Sequence, residues 1–328
     1  MPEFNFSSLT PDFILDAIES TGLIVESGLL GLNSYENRVY QFMAQDRQRY
    51  VVKFYRPNRW TRQQIEEEHQ FAFELADHDI PLVAPLKYSQ SSLLEYQGYL
   101  FALYPSVGGR QFEVDNLEQL EWMGRFIGRI HQVGQGSDFK ARPSITVDEY
   151  LRQPLAILKQ SQLVPAQIET AFFTILHMVA DKAADLYHCD NEIRLHGDCH
   201  PGNILWRDGP TFVDLDDSRM GPAIQDIWMM LSGDRQEQLL QLDTLISAYE
   251  EFADFDMSQL SLIEPLRAMR MIHYMGWLAR RWQDPAFPRA FPWFSSERYW
   301  EEQVLALKEQ LSALQEPALS LSPQNFNQ

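Results

Sequence analysis

Residues 195–206 run Leu195-His196-Gly197-Asp198-Cys199-His200-Pro201-Gly202-Asn203-Ile204-Leu205-Trp206, with an Asp and an Asn five positions apart and Pro and Gly between them. That spacing and composition predict a tight loop rather than a helix. Apolar runs at 193–195 and 204–206 bracket the loop as short strands. Then follows Pro210-Thr211-Phe212-Val213-Asp214-Leu215-Asp216-Asp217. Arg207-Asp208-Gly209 reads as a turn, and Thr211-Phe212-Val213 as a strand that delivers Asp214. Two short strands therefore hold an Asp, an Asn and a second Asp near one another.

Phosphoryl transfer to a hydroxyl needs those residue types. One carboxylate must accept the proton of the nucleophile, and hard oxygen ligands, one neutral and one anionic, must hold a divalent cation on the phosphates. The protein-kinase catalytic loop has the same Asp-to-Asn separation, with a metal-binding Asp on the next hairpin. The His-Gly-Asp-x-His-x-x-Asn form found here resembles that of the kinase-like phosphotransferases, which include aminoglycoside kinases, choline kinases and one class of homoserine kinase. The resemblance implies ATP as donor, Asp198 as catalytic base, and Asn203 and Asp214 as Mg²⁺ ligands. Pro222-Ala223-Ile224-Gln225-Asp226 after Gly221 looks like that family's Gly-Asp-Pro-x-x-Asp-Leu segment, without the Asp after Gly. It implies that Asp226 accepts backbone hydrogen bonds from the catalytic loop. His196 reads as a buttress of the loop backbone, and His200 stays open between structure and function. His188, Cys189, His196, Cys199 and His200 lack the paired spacing of a zinc site. Asp216 and Asp217 read either as supports of the site or as a solvated loop.

A kinase also needs a cation on the phosphates and a carboxylate to orient it. Lys53 ends the strand Tyr50-Val51-Val52, as the strand lysine of kinases does. The helix that follows offers Glu66, Glu67 and Glu68. Ile65, Glu68, Ala72 and Leu75 share one helical face, so Glu68 lies on the buried stripe and is paired with Lys53. A carboxylate on an apolar face is costly unless paired. No Gly-x-Gly-x-x-Gly covers the phosphates; Gly31-Leu32-Asn33-Ser34-Tyr35-Glu36-Asn37 occupies the first β-turn, with Ser34 and backbone N–H groups as phosphate contacts. Adenine is expected against backbone atoms near Tyr104 to Ser106.

The rest of the chain divides into a β-rich first third and a helical remainder. Helices are predicted over 10–20, 61–77, 115–134, 147–160, 165–188, 222–232, 235–253, 258–283 and 296–315, with strands within 23–55 and 82–105 and a frayed tail from Pro317. The fold class is α+β: a two-lobed kinase-like fold with a nucleotide lobe over 1–106 and a catalytic and acceptor lobe over 107–328, hinged at 104–109. The 328 residues are 45% hydrophobic, enough for two such cores. Net charge is −19, from 46 acidic against 27 basic residues, which disfavours nucleic acid as a partner. Two cysteines make no disulfide framework, and the first ten residues lack the charged and apolar regions of a signal peptide. Apolar stretches fall short of a membrane span. A cytoplasmic monomer is expected.

The resemblance extends further. Residues 32–42, Val51-Val52-Lys53-Phe54-Tyr55-Arg56-Pro57, residues 104–112, Asp214-Leu215-Asp216-Asp217 and Asp284-Pro285-Ala286-Phe287-Pro288 together look like the bacterial stress response kinases, over about residues 10–320. That likeness implies a Ser/Thr protein kinase of the stress response, with protein substrates and autophosphorylation. The residues alone carry the reading only as far as hydroxyl phosphorylation with ATP and Mg²⁺, and a small-molecule kinase of the choline, homoserine, sugar or aminoglycoside type remains the alternative. Arg267, Arg270, Arg280 and Arg281 read as helix-face salt bridges or as a site for an acidic acceptor. Trp277, Trp282, Phe287, Phe291, Trp293 and Phe294 read as core or as the wall of an acceptor cleft.

Overall fold

The computed structural model describes residues 6–321. Helix α1 (Pro11–Glu19) starts where Thr10 accepts from Phe13 N and Pro11 presets the first turn. A five-stranded antiparallel sheet follows, in the order β1 (Leu30–Gly31), β2 (Arg38–Met43), β3 (Arg49–Phe54), β5 (Tyr99–Pro105), β4 (Leu94–Tyr96). Period two sorts its side chains. Phe42, Val52, Phe54, Phe101 and Leu103 pack under Ile14, Ala17 and Ile18 of α1. Val39, Gln41, Val51 and Lys53 face the opposite way, into a cavity. Lys53 is in register with Val39 and Ala102, so both neighbouring strands fix its position.

Helix α2 (Arg62–Asp77) opens on a capping box: Thr61 Oγ1 accepts from Gln64 N, and Gln64 Oε1 accepts from Thr61 N. Its Phe71, Ala72 and Leu75 belong to the same core as the helical lobe. That lobe contains β6 (Arg110–Gln111), α3 (Leu117–Gly134), α4 (Gln153–Ser161), α5 (Ala166–Leu186) and β7 (Ile193–Leu195). It continues through β8 (Ile204–Trp206), β9 (Pro210–Phe212), β10 (Arg219–Gly221), α6 (Gln225–Trp228), α7 (Arg235–Tyr249), α8 (Ile263–Arg281), α9 (Ala286–Ala290) and α10 (Glu297–Ala313). A β-rich lobe and a helical lobe are thus both present, as the sequence predicts.

Three local expectations change. The helix predicted over 222–232 contracts to α6, because turns fill the segment up to Gly233, whose φ of +81° only glycine adopts readily. The expected start of α8 is instead a 3₁₀ turn over Met257–Leu262. The expected frayed tail is held as far as it is described: Arg235 donates to the Pro317 and Ala318 carbonyls, and Leu319 is buried. The remainder of that tail, 322–328, and residues 1–5 of the leader reading lie outside the described residues.

Candidate active site

The loop after β7 is pinned from below. Asp226 Oδ2 accepts from His196 N at 2.8 Å and Oδ1 from Gly197 N at 2.9 Å. His131 Nε2 sits 3.0 Å from the same Oδ2. His196 is fully buried and its Nε2–H donates to Val213 O at 3.0 Å, tying the loop to the segment carrying Asp214. Gly197 has φ +84°, and a Cβ there would collide with the Asp217 carbonyl. Gly197→Ala is therefore expected to cost about 1–3 kcal/mol in strain and to displace the neighbouring Asp198. Urea unfolding together with a transfer assay checks this, and unchanged values in both would contradict it.

Asp198 follows. His200 Nδ1 accepts from Gly202 N at 2.9 Å, so its Nε2 carries the proton, and this atom lies 3.4 Å from Asp198 Oδ2. Asn203 Nδ2 donates to Asp198 O at 3.0 Å and approaches Oδ2 at 3.3 Å. Arg270 Nη1 donates to Asp198 Oδ1 at 2.6 Å. Burial pushes this carboxyl up, but the His200 hydrogen bond and the Arg270 charge outweigh it and hold it well below the usual carboxylate range. His200 thus touches Asp198 directly. Of the four α8 arginines, Arg267 pairs along its own helix with Glu264 at 3.3 Å, but Arg270 and Arg281 reach across to Asp198 and Glu36, so helix-face pairing describes only part of the set. No periodicity marks a partner 72 residues away.

Asp214 stands at φ +62°, a conformation costly for a residue with a Cβ, with its side chain 52% exposed. Lys53 Nζ lies 3.0 Å from Asp214, 3.1 Å from Asp216 and 3.8 Å from Glu68. The helix-phase choice of Glu68 puts the right glutamate in the interior, at 3% exposure. Glu66 is exposed, and Glu67 caps the backbone N–H groups of Lys140, Ala141 and Arg142. Yet Lys53 stands closer to the two aspartates, and Glu68 is shared with Arg142 at 3.3 Å.

The solvated-loop reading of Asp216 and Asp217 does not hold. Asp216 is 3% exposed and receives Lys53, Arg59 and Asn37. Asp217 takes Arg59 at 2.7 Å and Arg219 at 3.2 Å. Burial raises Asp217, but these guanidiniums bring it down to about 2. Glu68 goes the other way. Burial, with Asp216 and Asp214 nearby, overcomes the pull of Lys53 and Arg142 and lifts it to about 7. The folded chain then binds this proton more tightly than the unfolded chain between about pH 4.5 and 7, so stability from this site falls as pH rises through that window. Glu68→Gln is expected to gain stability relative to wild type over the same interval. A constant difference in urea midpoint across it would refute the assignment.

The turn over 32–37 is clasped by the helical lobe. Glu36 accepts from Trp277 Nε1 at 2.5 Å and Arg281 Nη2 at 2.6 Å, and pairs with Arg56 at 3.1 Å. Arg38 and Arg56 meet Asp284 at 3.1 and 2.9 Å, and Asn37 donates to Asp216 at 3.2 Å. Tyr35 stacks edge-on against Phe291 at 4.7 Å. Trp277 therefore faces the cleft, while Phe287 and Phe294 are fully buried core.

Two cavities meet at this turn. One, of about 410 Å³, lies between the lobes and is lined by Leu32, Val51, Lys53, Ala72, Tyr104 and Leu205 among others. The other, of about 350 Å³, holds Asp198, His200, Arg270, His273, Tyr274 and Trp277. Asn33, Ser34, Asn203 and Asp214 line both. The geometry thus provides an apolar slot leading to a cation, four oxygen-bearing side chains at the junction, and a carboxylate beyond it.

Such a site on such a frame defines a kinase-fold phosphotransferase, and the chain belongs to the phosphotransferase enzyme family, whose sequence profile matches residues 29–263. Within it the chain groups with the stress response kinases. It is 54% identical over 321 residues to "Stress response kinase A" of Escherichia coli O157:H7, and 53% identical to "Serine/threonine protein kinase RdoA" of Salmonella typhimurium. Each alignment covers 98% of both chains. Among solved structures, the fold is similar to an amicoumacin kinase in complex with AMP-PNP and Ca²⁺ (TM-score 0.70, 17% identity, 91% of this chain and 92% of that one). It is also similar to the choline kinase LicA from Streptococcus pneumoniae (TM-score 0.61, 13% identity, 92% and 99%).

Proposed function

We propose that the chain is an ATP- and Mg²⁺-dependent Ser/Thr protein kinase, acting as a cytoplasmic monomer on protein substrates and on itself. The observation that carries this is the pair of cavities sharing Asn203 and Asp214, with Lys53 at 3.0 Å from Asp214 on one side and Asp198 on the other. Residues 1–106 form the nucleotide lobe in this reading and 107–328 the catalytic and acceptor lobe. The relatives' names supply the protein acceptor, and among the described residues no helix is long and apolar enough to cross a membrane.

The slot between the lobes takes adenine against Tyr104 and Ser106. Lys53 lies at the inner end of that slot, where its charge orients the phosphates, and Glu68 and Asp216 hold it there. Ser34 and its turn cover the phosphates. The fit to a divalent cation rests on donor chemistry: Asp214 is a carboxylate half open to the junction, and Asn203, whose amide N–H donates into the loop, keeps its Oδ1. When bound, Mg²⁺ supplies neutralisation of charge on the phosphate oxygens. Asp198 accepts the proton of the acceptor hydroxyl as its oxygen attacks the γ-phosphorus, and ADP leaves. His196 and Asp226 keep the loop in place and touch no reactant.

The test is incubation with γ-labelled ATP and Mg²⁺, alone and with a generic basic protein. Label on serine or threonine of either is expected. No label on either, with rapid turnover of a small alcohol, would replace this reading with the small-molecule one.

A further inference from the structure

The acceptor cavity contains three arginines, and two of them are matched within the protein frame. Arg59 pairs with Asp216 and Asp217, and Arg219 with Glu149 at 3.0 Å and Asp217. Arg270 is different. Its side chain is 41% exposed, and its ion pair among the described residues is with Asp198 Oδ1. A hydroxyl that gives its proton to Asp198 must come within hydrogen-bond reach of that carboxylate. Oδ2 already faces Asn203 and His200, and Oδ1 is fronted by the guanidinium. Arg270 therefore stands where the acceptor must enter.

Drawing a guanidinium off a carboxylate in a half-enclosed cleft is unfavourable unless another anion takes the vacated place. The planar fork of arginine fits a second carboxylate in two parallel hydrogen bonds. A cationic acceptor would instead meet a positive charge directly at the base. Tyr274 lies one turn further along α8 and is also 41% exposed, which gives the entering chain an aromatic wall beside the charge.

We propose that Arg270 is the acceptor-specificity residue: it exchanges Asp198 for an acidic side chain flanking the target Ser or Thr, so that recognition and release of the base are one event. This rests on the protein-kinase reading and sharpens it to acidic-flanked hydroxyls.

A positional-scanning peptide library around a central Ser/Thr, phosphorylated by the full-length protein, tests it. Wild type is expected to select Asp or Glu at one flanking position by about tenfold or more, the scale of a charge-assisted hydrogen bond. Arg270→Ala should lose that selection through a raised KM for acidic peptides, with preferences elsewhere kept, and Arg270→Lys should restore part of it. Wild type that phosphorylates peptides without acidic selection overturns the proposal alone. So does an Arg270→Ala variant whose kcat falls equally on every peptide, since the group would then serve the transferring phosphoryl. Wild type that binds ATP yet labels neither peptide nor itself overturns both this proposal and the protein-kinase reading.

Discussion

Asp198→Asn lowers kcat by about 10³-fold, within the 10²–10⁴ range of a positioned general base, and leaves ATP affinity within about twofold. The variant keeps the shape of the side chain and removes its proton affinity. Its carbonyl still accepts from Arg270, but its amide then faces the N–H groups of Asn203 and His200. The nucleotide should be indifferent, because Asp198 lines the second cavity and not the slot between the lobes. Single-turnover transfer and a separate ATP titration measure the two effects. A loss in kcat under tenfold would show that another group takes the proton. Since Arg270 and His200 hold the wild-type carboxyl below the usual range, mild acid should not remove the base by protonating it.

Asp216→Ala is the second large effect, and it falls on stability. Its carboxylate is buried among Lys53, Arg59 and Asn37. Removing it takes one carboxylate from the buried Lys53 and the partly buried Arg59, and breaking a buried ion pair in this way costs about 3–5 kcal/mol. Arg59 keeps Asp217 and Lys53 keeps Asp214, so the lower end of that interval is the better expectation. ATP binding should weaken as well if the turn over 32–37 covers the phosphates as proposed, because Asn37 anchors that turn on this residue. Urea unfolding with and without nucleotide separates the contributions. A stability loss below about 1 kcal/mol would mean that the remaining carboxylates absorb both charges.

Much of the site was legible because its pieces are close in sequence. The interval from Asp198 to Asn203 encodes a loop, and the strand Thr211-Phe212-Val213 fixes where Asp214 emerges. Helix phase separates Glu68 from Glu66 and Glu67, since only one of the three shares a face with Ile65 and Leu75. The lobes were legible from the change in hydrophobic period near residue 108. Long-range electrostatics was hidden. Asp216 and Asp217 look like a polar run until Arg59 is brought to them from 157 and 158 residues away. Lys53 has three carboxylates within reach, and nothing local ranks them. Arg270 and Glu36 have polar patterns that any solvated surface would show. Buried ion pairs have no periodicity, so a sequence betrays them only where burial itself is legible.

The clasp around Glu36 bears on how the molecule comes apart. Opening the cleft by rotation about the hinge would break the Glu36 contacts to Trp277 and Arg281 and the Asp284 contacts to Arg38 and Arg56 together. Helix α2 already lends Phe71, Ala72 and Leu75 to the core of the other lobe. The small lobe is then unable to melt on its own. Heat or urea should give one transition, with amide hydrogens of β2 and α8 exchanging at the same free energy. Two separated transitions would mean that the lobes are independent folding units, and that the clasp forms only after both have folded.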